Sequence, residues 1–282
     1  MQGVIDVWDA RTFDLGLLEV LEERAEEIVG YFNTDHANFM AYDNLDSPDR
    51  PIMRPENPFE GAYYTLLDRV AEIMASSTIR AFHYTRLTDG EVVELRRSGI
   101  HLSTPITLRR RLDALVVSGL LPAENADRLY DASPFHSEQH NARTEKFWMV
   151  SHPIAIDDNG VAPLMTRWGG EVASFWVRDA ELSAPLTRLG KARIAEIAVP
   201  LEATRHTHFA SRAVVATFGR ARGAIPEKAA FDLYLKTPLP ATAVLALHTE
   251  GDAAFTAMAR TYPAGFVDVD VGRWKELTGG DD

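Results

Sequence analysis

An apolar strand that ends in Phe82-His83-Tyr84-Thr85 and runs straight into a capped helix restricts the fold of this chain more tightly than any other stretch. Thr88 and Glu91 have the Thr-x-x-Glu spacing of a capping box, which opens a helix over 89–98. Gly99 stands where a helix commonly ends, in the C′ position. Ile100-His101-Leu102-Ser103-Thr104 then resumes a β-like pattern. A strand, a polar pair, a helix, a glycine and a returning strand together build one wall of a small-molecule cleft.

This order resembles the first motif of the ADP-ribosyltransferase fold, in the members that open with His-x-Thr, the DarT-like and poly-ADP-ribosyl branches. The resemblance implies that His83 holds the nicotinamide ribose of NAD and that Thr85 supports it. It further implies that Tyr84, Ser103 and Thr104 belong to the NAD-binding wall. The implied fold is α+β: an ADP-ribosyltransferase-like split β-sheet with an α-helical N-terminal extension.

Cleavage of the nicotinamide–ribose bond asks for a bent dinucleotide and a carboxylate beside the oxocarbenium-like ribose. The same carboxylate can orient or deprotonate the acceptor. Two acids compete for that role. Glu171 follows Arg167-Trp168-Gly169-Gly170 and precedes the apolar run 172–177. Paired glycines let backbone approach a ligand closely, and Trp168 offers a flat ring to a nicotinamide or adenine; a tight turn with Trp168 in the core is the alternative. Asp232, in Phe231-Asp232-Leu233-Tyr234, opens a late strand that resembles the closing strands of DarT-like transferases, although their acid is a Glu. Glu227 is a weaker third choice. Phe147-Trp148 supplies an aromatic to stack on nicotinamide, with Trp148 as the cofactor-binding choice, or else a buried pair. Arg143 has the fork to meet a pyrophosphate.

Elsewhere the pattern predicts a long helix over 12–42, capped by Thr12 or Asp14, and a second over 59–76. The four prolines of 43–58 exclude regular structure between them. Residues 1–77 are therefore expected as an α-helical N-terminal region, and 78–282 as the mixed α+β domain. Strands are predicted at 80–85, 100–103, 146–151, 172–177, 193–199, 231–236 and 242–248. Helices are predicted at 89–98, 107–118, 122–131, 160–168, 206–218 and 253–261.

The chain has no cysteine, which removes disulfides, thiolate catalysis and Cys-based metal sites. His136/His140 and His206/His208 lack a third ligand, so no metal is expected. No Gly-x-Ser-x-Gly elbow surrounds Ser103, Ser174 or Ser211, and no Gly-x-Gly-x-x-Gly supports a Rossmann mode of NAD binding. The net charge of −12 repels phosphate backbones and anionic membranes, so any nucleic-acid contact must be local. Arg109-Arg110-Arg111 is the only dense basic run and reads as a solvated helix face. No apolar run reaches membrane-spanning length and no signal peptide is evident; cytoplasm is the expected compartment.

The expected function is an NAD-consuming transferase of toxin or phage-defence type that carries ADP-ribose to a protein or nucleic-acid acceptor. The alternative is a catalytically inactive relative acting as an interaction module, with a partner on the N-terminal helices.

Overall fold

The computed structural model describes residues 3–44, 47–174 and 177–258. Three helices come first: α1 (Leu15–Glu23), α2 (Ala25–Tyr42) and α3 (Glu60–Met74). The strand β1 (Thr78–Leu87) leads into α4 (Asp89–Ser98), α5 (Pro105–Val117), α6 (Ala123–Asp131) and the single turn α7 (His140–Arg143). After β2 (Phe147–Val150) lie three short helices, α8 (Ala162–Thr166), α9 (Gly170–Ala173) and α10 (Ala180–Ser183). Then come β3 (Lys191–Pro200), α11 (Thr207–Ala221), β4 (Asp232–Leu235), β5 (Val244–Thr249) and α12 (Ala253–Met258).

The strands form one five-stranded antiparallel sheet in the order β4-β2-β1-β3-β5. The mixed α+β class follows directly. Among the described residues no helix is long and apolar enough to cross a membrane.

Three expectations are corrected. The helix expected over 12–42 breaks at Arg24 (φ −114°, ψ 18°). Leu17, Leu21, Ile28 and Phe32 are all buried, and the bend lets both apolar stripes follow one core. Asp14 is its cap, accepting from the Leu17 N–H at 2.8 Å. The strand expected at 100–103 is reduced to two isolated bridges, Ile100 with Leu239 and Ser103 with Lys146. The strand expected at 172–177 begins as helix: Val172 and Ala173 belong to α9, and 175–176 lie outside the described residues. Gly169 and Gly170, with φ of 94° and 52°, turn the chain there instead of extending it. A short apolar run carries no periodicity that separates strand from buried helix.

The core lies on one face of the sheet. Ile79 and Ala81 of β1, Ile197 and Val199 of β3, and Leu233 and Leu235 of β4 pack with the Ala213–Phe218 stretch of α11. Leu17, Leu21, Ile28, Tyr63 and Leu67 of the N-terminal helices join the same cluster. The other face is covered near its centre by Val161 and Met165, which pack on Phe82, Tyr84 and Ile194.

Candidate functional site

The β1–α4 unit is built as its sequence directs. Thr88 accepts from the Glu91 N–H at 3.2 Å, and the Glu91 carboxylate accepts from the Thr88 N–H at 2.8 Å. Gly99, at φ 80°, closes α4, and a Cβ there would lie 2.1 Å from the Leu239 carbonyl oxygen. Only glycine lets the chain pass this point and return along β4's trailing loop.

β1 and β3 pair along their whole length, from Thr78↔Pro200 to Leu87↔Lys191. β1 and β2 share one register pair, Phe82↔Val150, and part beyond it. In the gap, the His83 side chain reaches the Trp148 carbonyl, Nδ1 to O at 2.8 Å. A cavity of about 690 Å³ opens at this parting and is lined from both faces of the sheet.

Residues two apart on a strand share a face, so Ile79, Ala81, His83 and Thr85 lie on one side of β1. That side begins as core at Ile79 and Ala81 and becomes cavity wall at His83 and Thr85. Burial holds the His83 imidazole down to about 4, and the nearby Arg111 charge adds to the depression. The ring is therefore neutral at pH 7. A carbonyl only accepts, so Nδ1 carries the proton and Nε2 is a bare acceptor. Among the described residues no protein group bonds Nε2, the Thr85 hydroxyl or the Ser103 hydroxyl. All three residues line the cavity.

Glu171 lines it as well, from the first turn of α9, and pairs with Arg143 (Nε to Oε2, 2.9 Å). Arg111, from α5, donates its Nε to Glu91 Oε1 at 2.8 Å and lies over the Trp168 ring, 4.7 Å from its centroid. Phe147 packs on the His83 ring at 4.3 Å between centroids.

Of the remaining expected residues, Asp232, Tyr84 and Trp148 border the same cavity from other positions, and Thr104 and Trp168 do not. Asp232 pairs with Val150, which pairs with Phe82, so it shares their face, opposite to His83. It borders the cavity from that side, and burial raises its carboxyl above the ordinary range. Tyr84 is on that far face too, its hydroxyl donating to the Ile154 carbonyl at 3.0 Å and accepting from the Ile154 N–H at 2.6 Å. Thr104 caps α5, accepting from the Thr107 N–H at 3.0 Å, and does not line the cavity. Trp168 is wholly buried, with its N–H on Glu91 at 2.8 Å and Arg111 across its ring, so it has no face for a ligand. Trp148 lines the cavity but turns to Tyr234, 4.7 Å away between centroids, and to the Ala142 carbonyl; the aromatic beside His83 is Phe147.

Two residues escaped the sequence reading, Glu91 as more than a cap and Arg111 as more than a surface charge. Their signals were present. Glu91 occupies the inward position of a capping box, and Arg111 stands three residues after Leu108 and four before Leu115, both buried. Arg109 does behave as a surface residue, pairing with Asp113 and Asp127.

A scan of protein-family models, a search of curated proteins and a search of solved structures each found no match to this chain.

Proposed function

We propose that the chain is an NAD-consuming ADP-ribosyltransferase whose site is the cavity at the parting of β1 and β2. One observation carries the reading: His83 Nε2 and the Thr85 and Ser103 hydroxyls face a single cavity with no protein partner among the described residues. Polar groups that open on a cavity are met by water or by a ligand, and three together suit a polyhydroxyl ligand such as a ribose. The His-x-Thr resemblance names that ligand as NAD, and a sheet that opens beside its His-x-Thr strand suits a split-sheet transferase.

In this reading His83 Nε2 accepts a ribose hydroxyl, with Thr85 and Ser103 beside it. Phe147 packs against the His83 ring and limits how the ligand enters. Glu171 faces the positive charge that develops on the ribose as nicotinamide leaves. Arg143 balances that carboxylate's charge through an ion pair, without a well-aligned hydrogen bond, until an acceptor hydroxyl or amine arrives to be oriented or deprotonated. Glu171 is preferred over Asp232 because Asp232 shares the face opposite to His83.

Nicotinamide release from NAD tests the assignment. Glu171→Gln is expected to cut turnover by about 10²–10³-fold with a smaller change in KM, as for loss of a group acting on developing charge. Asp232→Asn is expected to change turnover by less than about threefold, against that 10²-fold scale. Equal turnover in both variants and the parent would refute the role of Glu171. The non-catalytic alternative is favoured by the Arg143 pairing, which leaves Glu171 already engaged; it predicts stabilisation by NAD with no nicotinamide released.

A further inference from the structure

The three consecutive arginines of α5 have three different environments. Arg109 is neutralised at the surface by Asp113 and Asp127. Arg110 reaches the cavity wall. Arg111 points inward and is gripped on two sides. Its Nε is fixed by Glu91 and its flat face by the Trp168 ring. Glu91 is itself immobilised, because its second oxygen accepts from the Thr88 N–H, the Thr88 hydroxyl and the Trp168 indole N–H. The Arg111 charge holds the Glu91 carboxyl below its usual range despite burial.

This clamp leaves one end of the guanidinium unused. Arg111 Nη2 is closed off and has no hydrogen-bond partner among the described residues, while the side chain as a whole is 29% exposed and lines the cavity. A guanidinium cannot shed its proton to escape that cost. A buried charged donor without a partner is one of the more expensive states a fold can hold.

We propose that Arg111 is an anion subsite of the cavity, taking a phosphate-class group through the accessible part of its guanidinium, with Glu91 as the positioning residue that aims it. A phosphate suits it better than a lone carboxylate, because Arg110 lines the same wall and a second cation favours a dianion. Glu91 balances one unit of this charge, so the net attraction rests on Arg110 beside it; the other acids do not add to that balance. Glu171 is paired with Arg143 and Glu94 with Arg97, while Asp232 lies on the other face of the sheet. The subsite stands on the clamp alone; that its phosphate is the diphosphate of NAD rests on the function proposed above.

The probe is inorganic pyrophosphate, titrated calorimetrically into the full chain at low salt, with NAD as competitor. The parent is expected to bind pyrophosphate, and Arg111→Met to weaken it at least tenfold. Because Arg111→Met strands the Glu91 carboxylate, the double variant Arg111→Met/Glu91→Gln serves where the single one does not fold, with the same expected loss. Glu91→Gln alone should weaken pyrophosphate binding severalfold, since the guanidinium is kept but no longer aimed. No binding by the parent at millimolar pyrophosphate, or parent-like binding by the arginine variants, would overturn the subsite. If pyrophosphate binds through Arg111 but NAD neither competes nor is cleaved, the subsite holds and the NAD reading fails. If Arg111→Met cleaves NAD at the parent KM, the NAD reading holds and the subsite fails.

Discussion

β1 meets its two neighbours in opposite ways. Toward β3 it is paired over its full length, and the register slips only later, between β3 and β5 at Glu196 and Ile197. Toward β2 it shares a single pair and then separates. The paired flank settles its polar backbone in a ladder and encloses Ile194, Ile197 and Val199. The parted flank has no ladder to settle it, so a side chain bridges the gap, with His83 bonding the Trp148 carbonyl. The same strand is thus scaffold on one edge and binding surface on the other, and substitutions on the two edges should fail in different ways.

The largest effect is expected on the paired edge. Ile194 is wholly buried against Phe82, Tyr84 and Met165 and does not line the cavity. Ile194→Ala should cost about 2–5 kcal/mol from lost burial and the residual cavity. A denaturant melt measures that loss. NAD affinity of the protein that remains folded should be unchanged; a variant that melts like the parent would show that the edge is looser than its pairing implies.

Acid should act next, and on the parted edge. Burial holds His83 down to about 4 in the fold, against an ordinary value near 6.5. His152 is also held down to about 4, by burial and by the Lys228 charge. The unfolded chain therefore takes up protons first as pH falls below about 6.5, and the folded chain only near 4. Stability should be full above pH 6.5 and decline between 6.5 and 4, by on the order of 1–3 kcal/mol for each group. His83→Gln, which retains a donor for the Trp148 carbonyl but does not titrate, should remove its own share of that decline. Melts at pH 7 and 4.5 on both proteins decide it, and an unchanged decline would mean His83 is not the group responsible.

These edges were not equally legible beforehand. The capping box at Thr88 and Glu91 and the stop at Gly99 are local signals, and α4 follows them to the residue. Leu21 and Ile28 announced buried helix, but Leu15, expected on the same stripe, is exposed and Leu17 is buried in its place, and the break at Arg24 answers a tertiary need and has no glycine or proline to mark it. The alternation of β1 put His83 and Thr85 together, yet the parting from β2 depends on a partner far along the chain and leaves no local trace. For the same reason the spacing around Asp232 could not show from which side it borders the cavity. Its register against Val150 and Phe82, which turns it to the far face, is a property of pairing and not of spacing. Trp168 looked available because the sequence does not reveal that Arg111 and Glu91 close over it.

The smallest effect separates the two roles most cleanly. Thr85 is nearly buried on the cavity side of β1, and its hydroxyl has no partner among the described residues. Valine has almost the same shape and suits a strand. Thr85→Val removes a hydroxyl that bonds nothing in the fold, so no donor or acceptor is left stranded. The denaturant midpoint should hold or rise slightly. If the hydroxyl bonds the ligand, NAD binding should weaken by about 0.5–1.5 kcal/mol, the net worth of one such bond, or roughly two- to tenfold. Calorimetry with NAD and a melt of the same preparation read both quantities. A lowered midpoint with unchanged affinity would move Thr85 from the binding surface to the scaffold, and with it the claim that the parted edge of β1 is shaped for a ligand.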